Sequence, residues 1–292
     1  MPYAGPPVTG HYLSLLRSIH AHSRPRTYLE IGMRTGESLA LAEPETSIIG
    51  IDPCPTVKNR INADAKLFFE TSDEFFADHD VRQIFGGSPI DLSFIDGMHL
   101  FEYALRDFRN VEENSAPESV ILVHDCLPRE APMATRERAT AMWTGDTWKL
   151  VCCLKAFRPD LEVSTIAVKN TGLAIIRNLD PSNRVLFDRY DEALAQFLPL
   201  EFDYIDGRQE EALGMIPVDL PAISGMIPQF PARPGRVAQR QRYPRSLPIM
   251  RYRGRVLARV SARRVQRAGQ ALISRPRSGS TVTGREDADH AR

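Results

Sequence analysis

Cysteine, tryptophan and long apolar runs are scarce in this sequence of 292 residues. The four cysteines, Cys54, Cys126, Cys152 and Cys153, form no C-x-x-C pair, and two of them are adjacent. That spacing speaks against a zinc ribbon and against a disulfide framework. No stretch approaches the roughly 18 apolar residues of a membrane span. Residues 1–10 show neither the basic nor the apolar segment of a secretory leader, so a cytoplasmic protein without a membrane span is expected. Two phosphate-binding signatures are also missing. There is no G-x-G-x-x-G, and no lysine follows a glycine-rich loop, which disfavours a pyrophosphate clamp and nicotinamide-dependent chemistry.

The net charge is zero, but its distribution is uneven. From Pro231 to Arg292 there are sixteen arginines and no lysine against Glu286, Asp287 and Asp289, a surplus of thirteen positive charges that the preceding residues cancel. An acidic body with a basic tail is the reading. Such a tail suits an acidic partner, a nucleic acid or an anionic membrane surface, and also suits simple solvated disorder. Within it Val256, Leu257, Val260, Val265 and Leu272 could form one apolar stripe of an amphipathic helix. The sequence divides into a domain over residues 1–215 and a Pro/Arg-rich, largely disordered tail over residues 216–292.

Short apolar runs ending in acids punctuate the body: Thr27–Ile31, Ser47–Ile51 before Asp52, and Asp91–Ile95 before Asp96. Ser119–Val123 precedes His124 and Asp125, and Ala65–Phe69 supplies a further strand. Helical spacing separates them at Ser38–Ala42, Ser72–Ala77 and Phe101–Val111. Alternation of this kind predicts an α/β fold, a Rossmann-like doubly wound sheet, mostly parallel. Beyond Asp125 come a Pro-containing loop and an amphipathic helix over Asp146–Phe157, with Trp148 inward. Next, Leu161–Val168 and Gly172–Ile176 read as an antiparallel hairpin at the sheet edge. Pro181–Leu198 reads as a covering helix.

The segment Y-L-E-I-G-M-R-T-G-E-S-L from Tyr28 to Leu39 is a strand that breaks at Gly32 and enters a helix near Gly36. Glycine there lets the backbone approach a ligand, and helix N–H groups would face the same crevice. Asp52, ending the second strand, can accept hydrogen bonds from ribose hydroxyls. Glu30 can receive the ammonium of an amino acid. A cofactor with an amino-acid end and a nucleoside end fits both, although ordinary turns explain the same residues.

Tyr28–Ser38, Gly50–Asp52, I-D-L-S-F-I-D-G-M-H from Ile90 to His99, and V-I-L-V-H-D-C from Val120 to Cys126 together resemble the class I S-adenosylmethionine-dependent methyltransferases. The likeness runs over about residues 10–198 and points to the bacterial group of macrocin-type sugar O-methyltransferases and cephalosporin hydroxylase-like proteins. It implies that Glu30, Gly32, Thr35, Gly36 and Ser38 line the methionine end of S-adenosylmethionine and Asp52 the ribose. It places Ser72 and Asp73 near adenine, with Asp96 also on the cofactor side. Two departures stand out: Arg34 occupies the usual middle glycine of the first motif, and Pro117, Glu118 and Ser119 replace a glycine pair.

Asp96 and Asp125 follow neighbouring strands, where two carboxylates could hold a hard divalent cation such as Mg²⁺ beside a substrate hydroxyl. His99 and His124 add groups able to take a proton near neutrality. Asp96, His99 and His124 are therefore the catalytic candidates, and Asp96 and Asp125 the metal ligands. The resemblance also implies a metal here, with an acid commonly where His124 stands. Trp143 and Trp148 could wall the acceptor, Trp148 more plausibly packing in the core. The expected reaction is methyl transfer to a hydroxyl of a small molecule or sugar. A non-catalytic or hydroxylase-like cofactor binder, and a module tethered by its basic tail, are the alternatives.

Overall fold

The computed structural model describes residues 9–169 and 171–231. A short strand β1 (Thr9–His11) leads into helix α1 (Tyr12–Ser23), and β2 (Thr27–Ile31), β3 (Ser47–Ile51) and β4 (Asp64–Phe68) follow. Next come α2 (Ser72–Asp78), α3 (Val81–Ile84), β5 (Ile90–Ile95), α4 (Phe101–Glu113) and β6 (Ser115–His124). The second half contains α5 (Trp148–Phe157), β7 (Glu162–Ile166), β8 (Val168–Lys169) and β9 (Leu173–Arg177). Then α6 (Val185–Asp188), α7 (Tyr190–Phe197), α8 (Gln209–Leu213), β10 (Met215–Ile216) and α9 (Leu220–Met226) close the described chain.

Every residue of β2, β3 and β5 is buried. Both faces of these strands are covered, which is why they read as continuous apolar runs and not as alternating ones. The main sheet runs β10-β7-β9-β6-β5-β2-β3-β4. Strands β2 to β6 are parallel to their neighbours within this group, and β9 is antiparallel to both β6 and β7. The chain moves outward from β2 through β3 to β4, then returns to place β5 on the other side of β2. Ligands of such sheets bind above the carboxyl ends of the strands at this switch point.

Two apolar layers cover the sheet. One contains Phe101, Ala104, Leu105, Phe108 and Val111 of α4, the spacing that the sequence predicts for an amphipathic helix, together with Trp148 and Leu154 of α5. The other contains Leu15, Leu16 and Ile19 of α1 with Ile223 and Ile227 at the C-terminal end of the described chain. Each such large side chain contributes about 1.5–3 kcal/mol when fully buried. Among the described residues, no helix is long and apolar enough to cross a membrane.

The structure departs from the sequence expectations at several points. The helix expected over Ser38–Ala42 is a single 3-10 turn, Leu39–Leu41, and the chain is already extended at Ala42, shortly before Pro44. A following proline prevents further helical turns. The expected antiparallel pair forms, but β9 is interior and β10, parallel to β7, takes the edge. The covering helix divides into α6 and α7 at Arg189. Ordered packing continues past residue 215: β10 extends the sheet, and Ile223, Ile227 and Phe230 are buried. The arginine-rich stretch and its apolar stripe lie outside the described residues.

Candidate active site

Gly32 follows β2 with φ +90, and a Cβ there would lie 2.0 Å from the carbonyl oxygen of Asp96. Its lack of a side chain thus serves the close approach of two strand ends, β2 and β5. Arg34, at the usual middle glycine, nonetheless adopts the left-handed conformation that glycine favours, φ 39. Its backbone N–H donates to Asp52 Oδ2 at 2.8 Å, and Cys54 N–H donates to Oδ1 at 2.7 Å. Asp52 therefore ties the first loop to the second. Each of its oxygens keeps a further lone pair for a ribose hydroxyl.

Glu30 is anchored within the first motif. It is fully buried, and its two oxygens accept hydrogen bonds from Tyr28 Oη at 2.7 Å and Ser38 Oγ at 2.5 Å. Burial pushes its carboxyl up to about 8, against the Ser38 and Tyr28 hydrogen bonds, which lower it. Glu30 and Ser38 are best described as the clamp that holds the loop down. Thr35 offers its carbonyl to the backbone N–H of Lys58 at 3.0 Å, and Gly36, φ +75, donates its N–H back to Met33. Because only a 3-10 turn follows, the expected helix N-terminus is absent here.

Ser72 and Asp73 open α2. Asp73 is held bidentately by Arg106 of α4 at 2.8 Å for each bond. Ser72 bonds Asp107, whose carboxyl burial pushes up to about 7. Both residues thus pin α2 to α4. On the same side of the sheet, Phe69 and Met98 follow β4 and β5 with exposed apolar side chains.

Above β5 and β6 the structure brings together the four remaining candidates. His99 Nε2 lies 3.1 Å from Asp96 Oδ1 and 3.0 Å from Asp125 Oδ2. His124 Nδ1 lies 3.4 Å from Asp96 Oδ1 and 3.4 Å from Asp125 Oδ1. Both His99 and Asp125 are left-handed, with φ 55 each, so the backbone is bent to turn their side chains toward one another. Burial disfavours the charged form of both imidazoles, but the hydrogen bonds and charges of Asp125 and Asp96 outweigh it and hold each up to about 10. The same pairing holds Asp96 and Asp125 below the usual carboxylate range despite burial. In the cation-free cluster this pairing favours charged imidazoles beside charged carboxylates.

The cluster also fits a divalent cation. One ligand atom each from Asp96, His124 and Asp125 lies within 4.8 Å of the others. Two carboxylates and an imidazole form a mixed oxygen–nitrogen donor set, and His124 Nε2 is buried with no hydrogen-bond partner among the described residues. Imidazole shifts such a set from Mg²⁺ toward Mn²⁺ and later transition ions.

Residues that the sequence reading passed over, or left unplaced, complete the walls. Tyr12, at the start of α1, packs its ring 4.1 Å from that of His124. Burial and then the charge of Asp96 push its phenol well above its ordinary value. Trp143 stacks on His99 at 5.2 Å and uses its indole N–H on the carbonyl of Thr135, whereas Trp148 is buried in the core. Asp146 is wholly buried and accepts the N–H of Phe101 at 2.7 Å, serving as the remote N-cap of α4.

Residues 29–126 match a family model described as a methyltransferase domain, about a third of the chain. No curated protein matches. Among solved structures, the chain is similar to the O-methyltransferase TomG from Streptomyces achromogenes, involved in tomaymycin synthesis, in complex with SAM. That likeness has 16% identity, covers 58% of this chain and 80% of that one, and has a TM-score of 0.43. It is similar also to the SAH-bound Podospora anserina methyltransferase PaMTH1, at 18% identity, 58% and 78% coverage and TM-score 0.42. The O-methyltransferase from Bacillus cereus in complex with SAH gives 15% identity, 56% and 78% coverage and TM-score 0.39. Likenesses this distant add nothing to the topology already described. Residues 29–126 thus match a methyltransferase domain, and strands β2 to β6 with their switch point fall within about the same span.

Proposed function

We propose that this domain transfers a methyl group from S-adenosylmethionine to a hydroxyl oxygen of a small-molecule or sugar acceptor. The observation that carries the reading is the adjacency of two parts. The Gly32 loop anchored by Asp52 touches the backbone of Asp96, and Asp96 begins the acid–histidine cluster. Cofactor and acceptor sites thus share one strand end.

S-adenosylmethionine, when bound, supplies a sulfonium methyl group open to attack by an oxygen lone pair. Asp52 is placed to receive the ribose, and the exposed Met98 and Phe69 give the base apolar surface. Asp96 spends Oδ1 on both imidazoles, so Oδ2 is the oxygen left to receive an acceptor hydroxyl. Asp96 Oδ2 takes the hydroxyl proton as the oxygen bonds the methyl carbon and the carbon–sulfur bond breaks, and the charge on His99 offsets the negative charge that develops. Asp96, His124 and Asp125 would hold a divalent cation, which supplies Lewis acidity toward the same hydroxyl. The protein's main contribution is orientation of the two reactants.

The test is transfer of labelled methyl from S-adenosylmethionine to a panel of phenols, sugars and polyols. Label on a hydroxyl oxygen, lost in Asp96→Asn, is the expected result. Label found on nitrogen or carbon acceptors instead would contradict the oxygen assignment.

A further inference from the structure

Among the described residues, every partly buried arginine but one has an acid or an aromatic ring as partner. Arg26 faces Asp91, Arg106 faces Asp73 and Arg158 faces Glu112, each through hydrogen bonds of normal length. Arg109 lies over the rings of Phe187 and Tyr190. Arg129 is the exception. It is half-buried, its Nε, like those of Arg109 and Arg177, is inaccessible and without a partner, and its Nη2 meets only the sulfur of Met142 at 3.9 Å, with neither an acid nor a ring beside it among the described residues. Among the described residues, no carboxylate lies within ion-pair distance of it. Withdrawing part of a guanidinium from water without a counter-charge is unfavourable.

The position of Arg129 gives that unneutralised charge a use. It follows closely on Asp125, and the intervening residues Cys126, Leu127 and Pro128 are buried. Leu127 is fixed by its N–H to the carbonyl of Thr171 at 2.7 Å. Met142, which supports the guanidinium, directly precedes Trp143, the residue stacked on His99. Arg129 thus sits on the loop after β6 between Asp125 and Trp143, two residues of the acid–histidine site. A guanidinium offers a planar fork of donors matched to carboxylate and phosphate.

We propose that the acceptor is an anion, and that Arg129 binds its carboxylate or phosphate group while the Asp96 cluster addresses its hydroxyl. This rests on the methyl-transfer reading of the site. The test is calorimetric titration of the full chain with benzoate and with inorganic phosphate, each alone and with S-adenosylmethionine present. Wild type, Arg129→Met, Arg129→Lys and the loop control Arg138→Met are compared. Saturable binding of at least one anion, weakened about tenfold or more in Arg129→Met and unchanged in Arg138→Met, is expected. Arg129→Lys keeps the charge without the fork and should fall between; it decides the matter should Arg129→Met fail to fold. Benzoate preference indicates a carboxylated acceptor, phosphate preference a phosphorylated one. No anion binding by wild type, or equal binding by both Arg129 variants, overturns the proposal. If S-adenosylmethionine binds and no anion does, only this inference falls; if an anion binds and S-adenosylmethionine does not, the methyl-transfer reading falls instead.

Discussion

A Cβ on Gly145 would lie 1.9 Å from the carbonyl oxygen of His99. The loop after β6 therefore runs against the very residue that bridges Asp96 and Asp125, and Asp146 extends the contact by donating its N–H to the same carbonyl at 3.1 Å. Gly145 is also left-handed, φ +56, which an alanine would adopt only under strain. Gly145→Ala should lower stability by about 1–3 kcal/mol or more. Its larger effect should be on the His99 geometry, read as lost methyl transfer at temperatures where the variant is still folded. Denaturant melts and turnover equal to wild type would contradict this packing.

The acid–histidine cluster makes cation-free stability depend on pH. Burial pushes His99 and His124 down, but Asp125 and Asp96 hold both up to about 10, above the ordinary 6.5. A raised folded value means that their contribution is complete below about pH 6.5 and is lost as pH climbs toward 10. Glu30, pushed by burial up to about 8, acts in the same direction between its ordinary 4.5 and that value. Asp96 and Asp125 lie below the usual carboxylate range, so their contribution is present above it and is lost in acid. In metal-free buffer the denaturation midpoint should fall steadily from pH 6.5 to 9.5. A midpoint that stays level or rises across this window would show that the histidines are not held as imidazolium.

Cation binding should release protons, because a metal at Asp96, His124 and Asp125 needs a neutral imidazole. Affinity therefore rises with pH through the neutral range. The imidazole donor favours Mn²⁺ over Mg²⁺. Titrations in buffers of different ionisation enthalpy measure the protons released. Binding without proton release, or tighter binding of Mg²⁺ than of Mn²⁺, would contradict the assignment of His124 as a ligand.

The central strands were legible because five-residue runs such as S-I-I-G-I at Ser47–Ile51 are buried on both faces and leave an unbroken apolar signature. The α4 stripe was equally plain from its spacing. Asp96, Asp125 and the two histidines could be placed near one another because strand ends converge in a parallel sheet. What surrounds them could not. β1, β8 and β10 have two or three residues each, too few for any period to show. Trp143, Gly145 and Asp146 belong to an irregular loop whose path follows from tertiary contacts. The hydrogen bonds of Glu30 to Tyr28 and Ser38, from two segments of one motif, left no mark in the residue spacing. Gly36 suggested a helix that Pro44 cuts short.

The most direct test of the central claim is calorimetric titration of the purified chain with S-adenosylmethionine, alongside NAD, for wild type and Asp52→Ala. Asp52 holds the first loop through Arg34 and the second through Cys54. Saturable binding of S-adenosylmethionine but not of NAD, weakened about tenfold or more in Asp52→Ala, is the predicted result. NAD binding in its place, or no heat from S-adenosylmethionine with the protein folded, would contradict methyl transfer at this site.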